Sequence, residues 1–257
     1  MTVQDVYNWI DLFAPFASQE GFDNAGLLLG DPDAEVRRVF FTLDATLPII
    51  QEAVAWGADL LITHHPLMFG GIKAIRYHQP EGQVLSALIR DGLNLIAAHT
   101  NLDKAEGGTG DSLAAAVGLT GVRPIGEDPY LRMGTLPSPT PAVTLLRALN
   151  AALGSQTRMY GHADTMVQQV VVGAGAIGEA YATAAQNGAQ AFVVGEIKHH
   201  ELLGAQALGT IVYELGHYAS EQPGIAALYQ RFQSAAQAGR WPIQARLTAI
   251  TPFDCAT

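Results

Sequence analysis

The stretch Ala58-Asp59-Leu60-Leu61-Ile62-Thr63-His64-His65-Pro66 decides the fold that the sequence predicts. Its short apolar run follows a glycine and ends before a proline, which is typical of a strand buried on both faces in a parallel sheet. Ligands of open α/β sheets bind beyond the carboxyl ends of the strands. The pair His64-His65 therefore lies at a candidate binding edge. Two loop histidines, one solvated and one hydrogen-bonded, explain an isolated pair at least as well.

Length and composition narrow the class of protein. The 257 residues are long for one simple domain and short for three, and they can bury a sizeable core. A net charge of −10 argues against nucleic-acid binding, which needs a basic face. The single cysteine, Cys255, excludes an intrachain disulfide and a cysteine-based zinc site within one chain. Signal-peptide features and apolar runs of transmembrane length are lacking, so we expect a cytoplasmic protein without a membrane partner.

Helix and strand signals alternate in the first part of the chain. We predict a helix capped by Thr2, followed by strands at 36–44, 60–63 and 93–98 with helices between them. This alternation predicts right-handed β-α-β crossovers and a parallel sheet.

The second half of the chain repeats the first at a constant offset of 131 residues (170 − 39), because Val39–Asp59 aligns with Val170–Gln190. The offset places His64-His65 on Gly195-Glu196. In each half the last predicted strand is followed by a histidine and, four residues later, an acidic residue. These pairs are His99 with Asp103 and His217 with Glu221. We therefore predict two similar β-α-β-α-β halves.

Residues 120–160 differ from both halves in composition. They contain five prolines, a strand-like run near Leu131–Leu136 and a predicted helix at 141–153, but no obvious chemistry. We interpret them as a proline-rich connection between halves at roughly 1–125 and 160–257.

Seven polar residues follow the predicted strands at what should be one edge of the fold. They are His64, His65, His99, Asp103, Glu196, His217 and Glu221. Imidazoles and carboxylates without cysteine suit Zn, Fe, Mn or Ni. A set of five or more ligands is too large for one catalytic zinc ion and suits two metal ions that share a carboxylate. An ion-pair network is the alternative explanation.

The chain resembles the NGG-interacting-factor-three-like family, dinuclear-metal proteins often labelled type-2 GTP cyclohydrolase I homologues. The matching stretches span nearly the whole chain in the order that the family has. They are Asp23–Leu27, Leu61–Leu67, His99–Asp103, Gly195–His200 and Gly216–Glu221.

The resemblance implies the following organisation. The chain 1–257 forms a single family unit of two intertwined, pseudo-symmetric α/β halves with mainly parallel sheets, and the metal site lies at the carboxyl edge of the strands between them. No middle domain is inserted, and six chains form a toroidal homohexamer. Each chain binds two divalent metal ions, with Zn, Fe, Mn, Co and Ni as candidates. The implied ligands are His64, His65, Asp103, His217 and Glu221, with Glu221 as the bridge. The implied supporting or substrate-facing residues are His99, Glu196, His199 and His200.

Two classes of function follow from this resemblance. In the first, the protein is a metal-dependent hydrolase that attacks a small, nucleotide-like substrate with a metal-bound hydroxide. In the second, it is a non-catalytic regulatory protein that binds metal or a partner.

Three features of the sequence also have simpler structural explanations. Asp23 and Asn24 are common turn formers. The Gly-x-Gly-x-x-Gly run at 173–178 fits a tight strand-to-helix turn better than a dinucleotide site. Glu221 is a helix-start carboxylate if its helix begins near Ser220.

Overall fold

The computed structural model of the chain describes residues 1–252, so Cys255 lies outside the described residues. The helices are α1 (Val3–Asp11), α2 (Leu47–Trp56), α3 (Pro80–Arg90), α4 (Thr100–Lys104), α5 (Thr109–Val117), α6 (Ala142–Leu153), α7 (Tyr181–Gln186), α8 (His199–Ala207) and α9 (His217–Gly239). The strands are β1 (Gly26–Leu29), β2 (Arg38–Thr42), β3 (Leu60–Thr63), β4 (Asn94–Ala97), β5 (Thr120–Ile125), β6 (Asp128–Pro141), β7 (Arg158–Tyr160), β8 (Met166–Gly173), β9 (Ala191–Val194), β10 (Ile211–Glu214) and β11 (Gln244–Leu247). In this described range, no helix combines the length and apolar character that a bilayer crossing requires.

Two compact units make up the chain. The first comprises Met1–Ala105 together with the segment that begins at Ile225, and the second comprises Glu106–Gly224. The sequence repeat had suggested halves that are continuous, at 1–125 and 160–257. The first unit instead recruits the second part of α9 and strand β11 from the C-terminal segment.

The first unit contains a five-stranded sheet in the order β1-β4-β3-β2-β11. Strands β2, β3, β4 and β11 are parallel, and β1 runs antiparallel to β4. All four residues of β3 are fully buried, and β3 has a strand on each side. The apolar run therefore forms the central, doubly covered strand that the sequence predicts.

Local sequence explains where the first helices begin and end. The Thr2 hydroxyl accepts a hydrogen bond from the Asp5 amide, and the Asp5 carboxylate accepts one from the Thr2 amide, which forms a capping box. Helix α2 has Pro48 in its first turn and ends at Gly57, whose φ of 79° is easily adopted only by glycine.

The second unit contains a six-stranded sheet in the order β5-β6-β8-β9-β10-β7. Only β8, β9 and β10 of this sheet are mutually parallel, so the expectation of mainly parallel sheets is correct for the first sheet and wrong for the second. The antiparallel strands come from 120–160, which joins the sheet instead of only connecting two halves. Prolines made this segment resemble a connection in the sequence. They cluster at the end of β6, where the register with β8 shifts between Thr135 and Thr140.

The sequence repeat is confirmed by the register of the strands. Val39 pairs with Leu60 in the first sheet, and Val170 pairs with Ala191 in the second. Each residue of the second pair lies 131 positions after its counterpart in the first pair (170 − 39 and 191 − 60). Each unit therefore contains a parallel triplet of the same order, β2-β3-β4 or β8-β9-β10.

A substitution in α9 tests how the first sheet is covered. The buried ring of Phe232 contacts those of Trp9, Phe41 and Trp241, with centroids 5.1, 5.4 and 5.9 Å away. We expect Phe232→Ala to lower the free energy of unfolding by about 3–5 kcal/mol, because it leaves a cavity among these rings. Urea unfolding measures this loss. The control Leu12→Ala removes a side chain that is 84% exposed and should cost less than about 0.5 kcal/mol. Equal losses of unfolding free energy in Phe232→Ala and Leu12→Ala would contradict the packing of Phe232 among these rings.

Candidate metal centre

The histidine pair lies where β3 ends and the chain leaves the extended conformation. The amides of His64 and His65 both donate to the carbonyl of Leu43, at 3.2 and 3.0 Å. The Thr63 hydroxyl donates to the carbonyl of His65 at 2.8 Å. The two imidazole rings consequently lie side by side with centroids 5.1 Å apart, whereas a continuing strand would place them on opposite faces.

Three imidazoles of the first unit are each held at Nδ1 by an oxygen atom. The pairs are His64 with the carbonyl of Ala98 (2.8 Å), His65 with Asp44 (2.7 Å) and His99 with Asp23 (2.7 Å). A carbonyl or ionised carboxylate oxygen can only accept, so Nδ1 carries the proton in each ring. In the neutral rings Nε2 therefore has the lone pair, which is the state in which imidazole binds a metal ion.

His64, His65 and His99 form the histidine cluster. One nitrogen from each ring lies within 4.8 Å of those of the other two, and the ring centroids are 5.1–5.6 Å apart. Convergent imidazoles suit Zn, Fe, Cu or Ni rather than calcium or magnesium. The resemblance had implied that His99 supports a ligand or the substrate. Its place in the cluster makes it a candidate ligand as well.

Asp103 adds a carboxylate to the histidine cluster. It lies one helical turn after His99, and its amide donates to the His99 carbonyl at 3.0 Å. Its Oδ1 atom lies 3.4 Å from His64 Nε2. The structure therefore brings together four of the predicted site residues in the first unit, three imidazoles and one carboxylate.

The protonation states around His99 suit metal binding. Burial and the neighbouring His64 lower the pKa of His99, and Asp23 opposes this shift without reversing it, so the ring is neutral at pH 7. Burial alone would raise the pKa of Asp23. Hydrogen bonds from Thr100 and His99 outweigh burial and lower it, so Asp23 is an ionised acceptor.

Sequence analysis missed two carboxylates that orient this cluster. Asp44 follows β2, the neighbour of β3, so a search for polar residues after every parallel strand would have found it. Asp23 does close a turn, since its amide donates to the Glu20 carbonyl at 2.9 Å. Its bond to His99, however, joins residues 76 positions apart, and no local pattern indicates such a contact.

The second unit has a histidine–carboxylate cluster at the start of α9. The helix begins at His217, so Glu221 lies one turn further along the same face. Glu221 is buried, and its Oε1 atom lies 3.1 Å from His217 Nε2. Glu196 Oε1 lies 3.2 Å from the other ring nitrogen, Nδ1. Because Glu221 is not in the first turn, the helix-start explanation of this residue is wrong.

The glycine-rich run after β8 provides space for this second cluster. Gly175 has a φ of +68°, and a Cβ atom at this position would collide with Glu221 Oε1 and lie 3.6 Å from His217 Nε2. Its amide donates to the Ser220 hydroxyl at 2.9 Å, and that hydroxyl donates to the His217 carbonyl at 2.7 Å. The run is thus a tight turn, and one of its glycines permits the loop to approach Glu221.

His199 and His200 are predicted site residues that belong to neither cluster. Both are exposed at the start of α8, whereas Glu221 is buried. The ring nitrogen Nε2 of His200 lies 3.9 Å from Oε1 of Glu201, its neighbour in the same helix. Their role towards a substrate stays a prediction.

Gly175→Ala tests the contact between the turn and Glu221. We expect two costs: about 1–2 kcal/mol for an alanine at positive φ, and about 1–3 kcal/mol for displacing a buried carboxylate from its partner. Urea unfolding measures their sum. Gly126→Ala is the matched control, since Gly126 also has a positive φ (56°) but no atom within 4 Å of the place that a Cβ atom would occupy. Equal losses in the two variants would contradict the close approach.

Comparison with known proteins places the chain among named relatives. A GTP cyclohydrolase 1 type 2 homolog of Streptomyces coelicolor is 32% identical over 234 residues, which cover 86% of this chain and 82% of the relative. A protein of the same name from Clostridium perfringens is 30% identical over 230 residues, covering 87% and 88%.

Solved structures share the fold over the whole chain. A hypothetical protein from Staphylococcus aureus matches with a TM-score of 0.94 at 26% identity, covering 100% of this chain and 99% of that one. A Bacillus cereus protein related to NIF3 matches with a TM-score of 0.92 at 19% identity and the same coverage, which shows likeness of fold alone. The profile of the Duf34/NIF3 (NGG1p interacting factor 3) family matches residues 1–252, and the chain therefore belongs to this family.

Proposed function

We propose that the chain is a metal-dependent hydrolase that binds two divalent metal ions and acts on a nucleotide-like small molecule. The observation that carries the proposal is the histidine cluster, in which every Nδ1 atom is held by an oxygen. The proposed ligands are His64, His65, Asp103, His217 and Glu221, with Glu221 as the bridge.

The chemistry of the donors supports a transition metal or zinc. The described residues of the first unit present imidazole nitrogens and a carboxylate, and those of the second present an imidazole and a buried carboxylate. Such a mixture fits Zn, Fe, Mn, Co or Ni. Oxygens that hold the other ring nitrogen are typical of histidines that bind metal, because they fix the tautomer and the orientation of the ring.

The residues of the chain have distinct parts in the proposed activity. The carbonyl of Ala98 and the carboxylates of Asp44 and Asp23 keep the three rings in one orientation and one tautomer. The carboxylates of Asp103 and Glu221 offset the positive charge of divalent ions. Divalent ions held by these residues would supply a water of near-neutral pKa, which would make hydrolysis feasible at pH 7.

The substrate class is proposed from the relatives. Both relatives described above carry the name GTP cyclohydrolase 1 type 2 homolog. A name of this kind supports a purine nucleotide or a similar heterocycle as the substrate, and the site chemistry supports attack by water. We also propose that the protein acts in the cytoplasm.

Metal analysis combined with a substrate screen tests the proposed activity. We expect about two metal ions per chain in protein purified without chelator, and metal-dependent hydrolysis of at least one purine nucleotide or cyclic amide. Elemental analysis for Fe, Zn, Mn, Co and Ni gives the metal content, and chromatography detects the products. A metal content near zero would refute the dinuclear site. A metal-loaded protein that is inert to the whole screen would refute the hydrolase and support a metal-binding regulatory protein.

Glu221→Gln tests the proposed bridge. The amide keeps the size of the side chain but is a poor bridging ligand, so we expect the loss of at least one metal ion per chain with the fold retained. Elemental analysis beside the wild type measures the loss, and circular dichroism reports the fold.

Glu52→Gln is the control for this change. Glu52 is another helical glutamate, its carboxylate accepts a hydrogen bond from the Thr248 hydroxyl, and it belongs to neither cluster. We expect full metal content in this variant. Full metal content in Glu221→Gln as well would show that the bridging ligand is a different residue.

We further propose that six chains assemble into a toroidal homohexamer, as the family resemblance implies. Light scattering coupled to size-exclusion chromatography should then give roughly six times the mass of one chain, since closed symmetric assemblies are the rule for homo-oligomers. A monomer at micromolar concentration would contradict this assembly.

A further inference from the structure

Two exposed phenylalanine side chains lie beside the histidine cluster. Phe22 is 66% exposed and Phe69 is 52% exposed, so each leaves at least half of its surface in water. Folding normally buries large aromatic side chains, and core packing does not account for these two. Their ring centroids are 6.1 Å apart and their planes are inclined at 43°. Phe22 and Phe69 are the aromatic pair.

The aromatic pair is in contact with the histidine cluster. The ring of Phe69 lies with its centroid 5.9 Å from that of His99, and the two planes are inclined at 80°. This edge-to-face contact is a favourable geometry for aromatic rings. A flat molecule on an open face of the pair therefore lies next to the imidazoles.

The loops that carry the aromatic pair are fastened to each other and to the cluster. The side-chain amide of Asn24 donates to the Met68 carbonyl, which links the chain just after Phe22 to the loop that holds Phe69. Asp23, between Phe22 and Asn24, accepts the hydrogen bond from His99 Nδ1. One turn thus orients His99 and also places Phe22.

We propose that the aromatic pair is a stacking platform for the planar ring of the substrate, an inference that rests on the proposed hydrolase function. Phenylalanine offers a π face and no hydrogen-bonding group. The pair therefore selects a flat, unsaturated ring over a sugar or an alkyl chain, and it does not distinguish one purine from another. The stacked ring is held beside the imidazoles that would hold the metal ions.

Equilibrium binding of a fluorescent nucleotide tests the platform without any need for turnover. The probe is 2-aminopurine riboside 5′-monophosphate, whose fluorescence is quenched on stacking, and ribose 5-phosphate is the competitor that lacks a base. We expect quenching with the wild type and binding weaker by about tenfold or more in Phe22→Leu and Phe69→Leu, because leucine removes the π face. Ribose 5-phosphate should compete poorly.

Tyr77→Leu is the matched control, because Tyr77 is a 77% exposed aromatic residue further along the loop of Phe69. We expect it to bind the probe as tightly as the wild type. The metal content and melting temperature of each variant are measured alongside. If Phe69→Leu loses metal through its contact with His99, then Phe22→Leu decides the outcome.

Three results would overturn the platform: no quenching with the wild type, unchanged affinity in both phenylalanine variants, or equal competition by ribose 5-phosphate. The hydrolase proposal fails separately. A protein that hydrolyses nothing but binds the probe through the aromatic pair retains the platform. A protein that hydrolyses nucleotides and binds them equally well without the two rings retains the hydrolase function and loses the platform.

Discussion

The burial of β3 on both faces is the constraint on which the first unit depends. A strand with a parallel neighbour on each side must end at the same edge as they do, and its end is the place where polar groups can follow an apolar run. Here β2 is followed by Asp44, β3 by His64 and His65, and β4 by Ala98 and His99. The three ends supply both the imidazoles and two of the oxygens that hold them, so the packing of the sheet also orders the candidate ligands.

Sequence could predict the parts of this arrangement that are encoded locally. The apolar run of β3, the histidine pair and the four-residue spacing of His99 and Asp103 each lie within a few neighbouring residues, and the structure keeps them at the ends of strands. Asp44 could be found by its place after β2, but the pairing of each ring with its oxygen could not be predicted in the same way. The bond of His65 to Asp44 joins residues 21 positions apart and that of His99 to Asp23 joins residues 76 apart. Such contacts are fixed by tertiary structure and not by any local period.

The second unit shows what the repeat could and could not indicate. The offset of 131 residues predicts the register of β8 with β9 because both triplets place the same positions opposite each other. Of the additional antiparallel strands, only β6 was indicated, by the strand-like run near Leu131–Leu136. Prolines made the segment resemble a connection, and the ladder of β6 with β8 is irregular where they cluster. The site chemistry has also diverged: Glu196 occupies the position equivalent to His65, and it approaches His217.

The hydrogen bonds at the Nδ1 atoms have a consequence for the entropy of ligation. Three rings that are already anchored would lose little rotational freedom on binding an ion, because folding has fixed them beforehand. The affinity of such a cluster then depends on how well an ion fits the existing ring spacing, with little adjustment by the rings themselves. A rigid cluster of this kind would favour cations whose size and preferred geometry match its ring spacing.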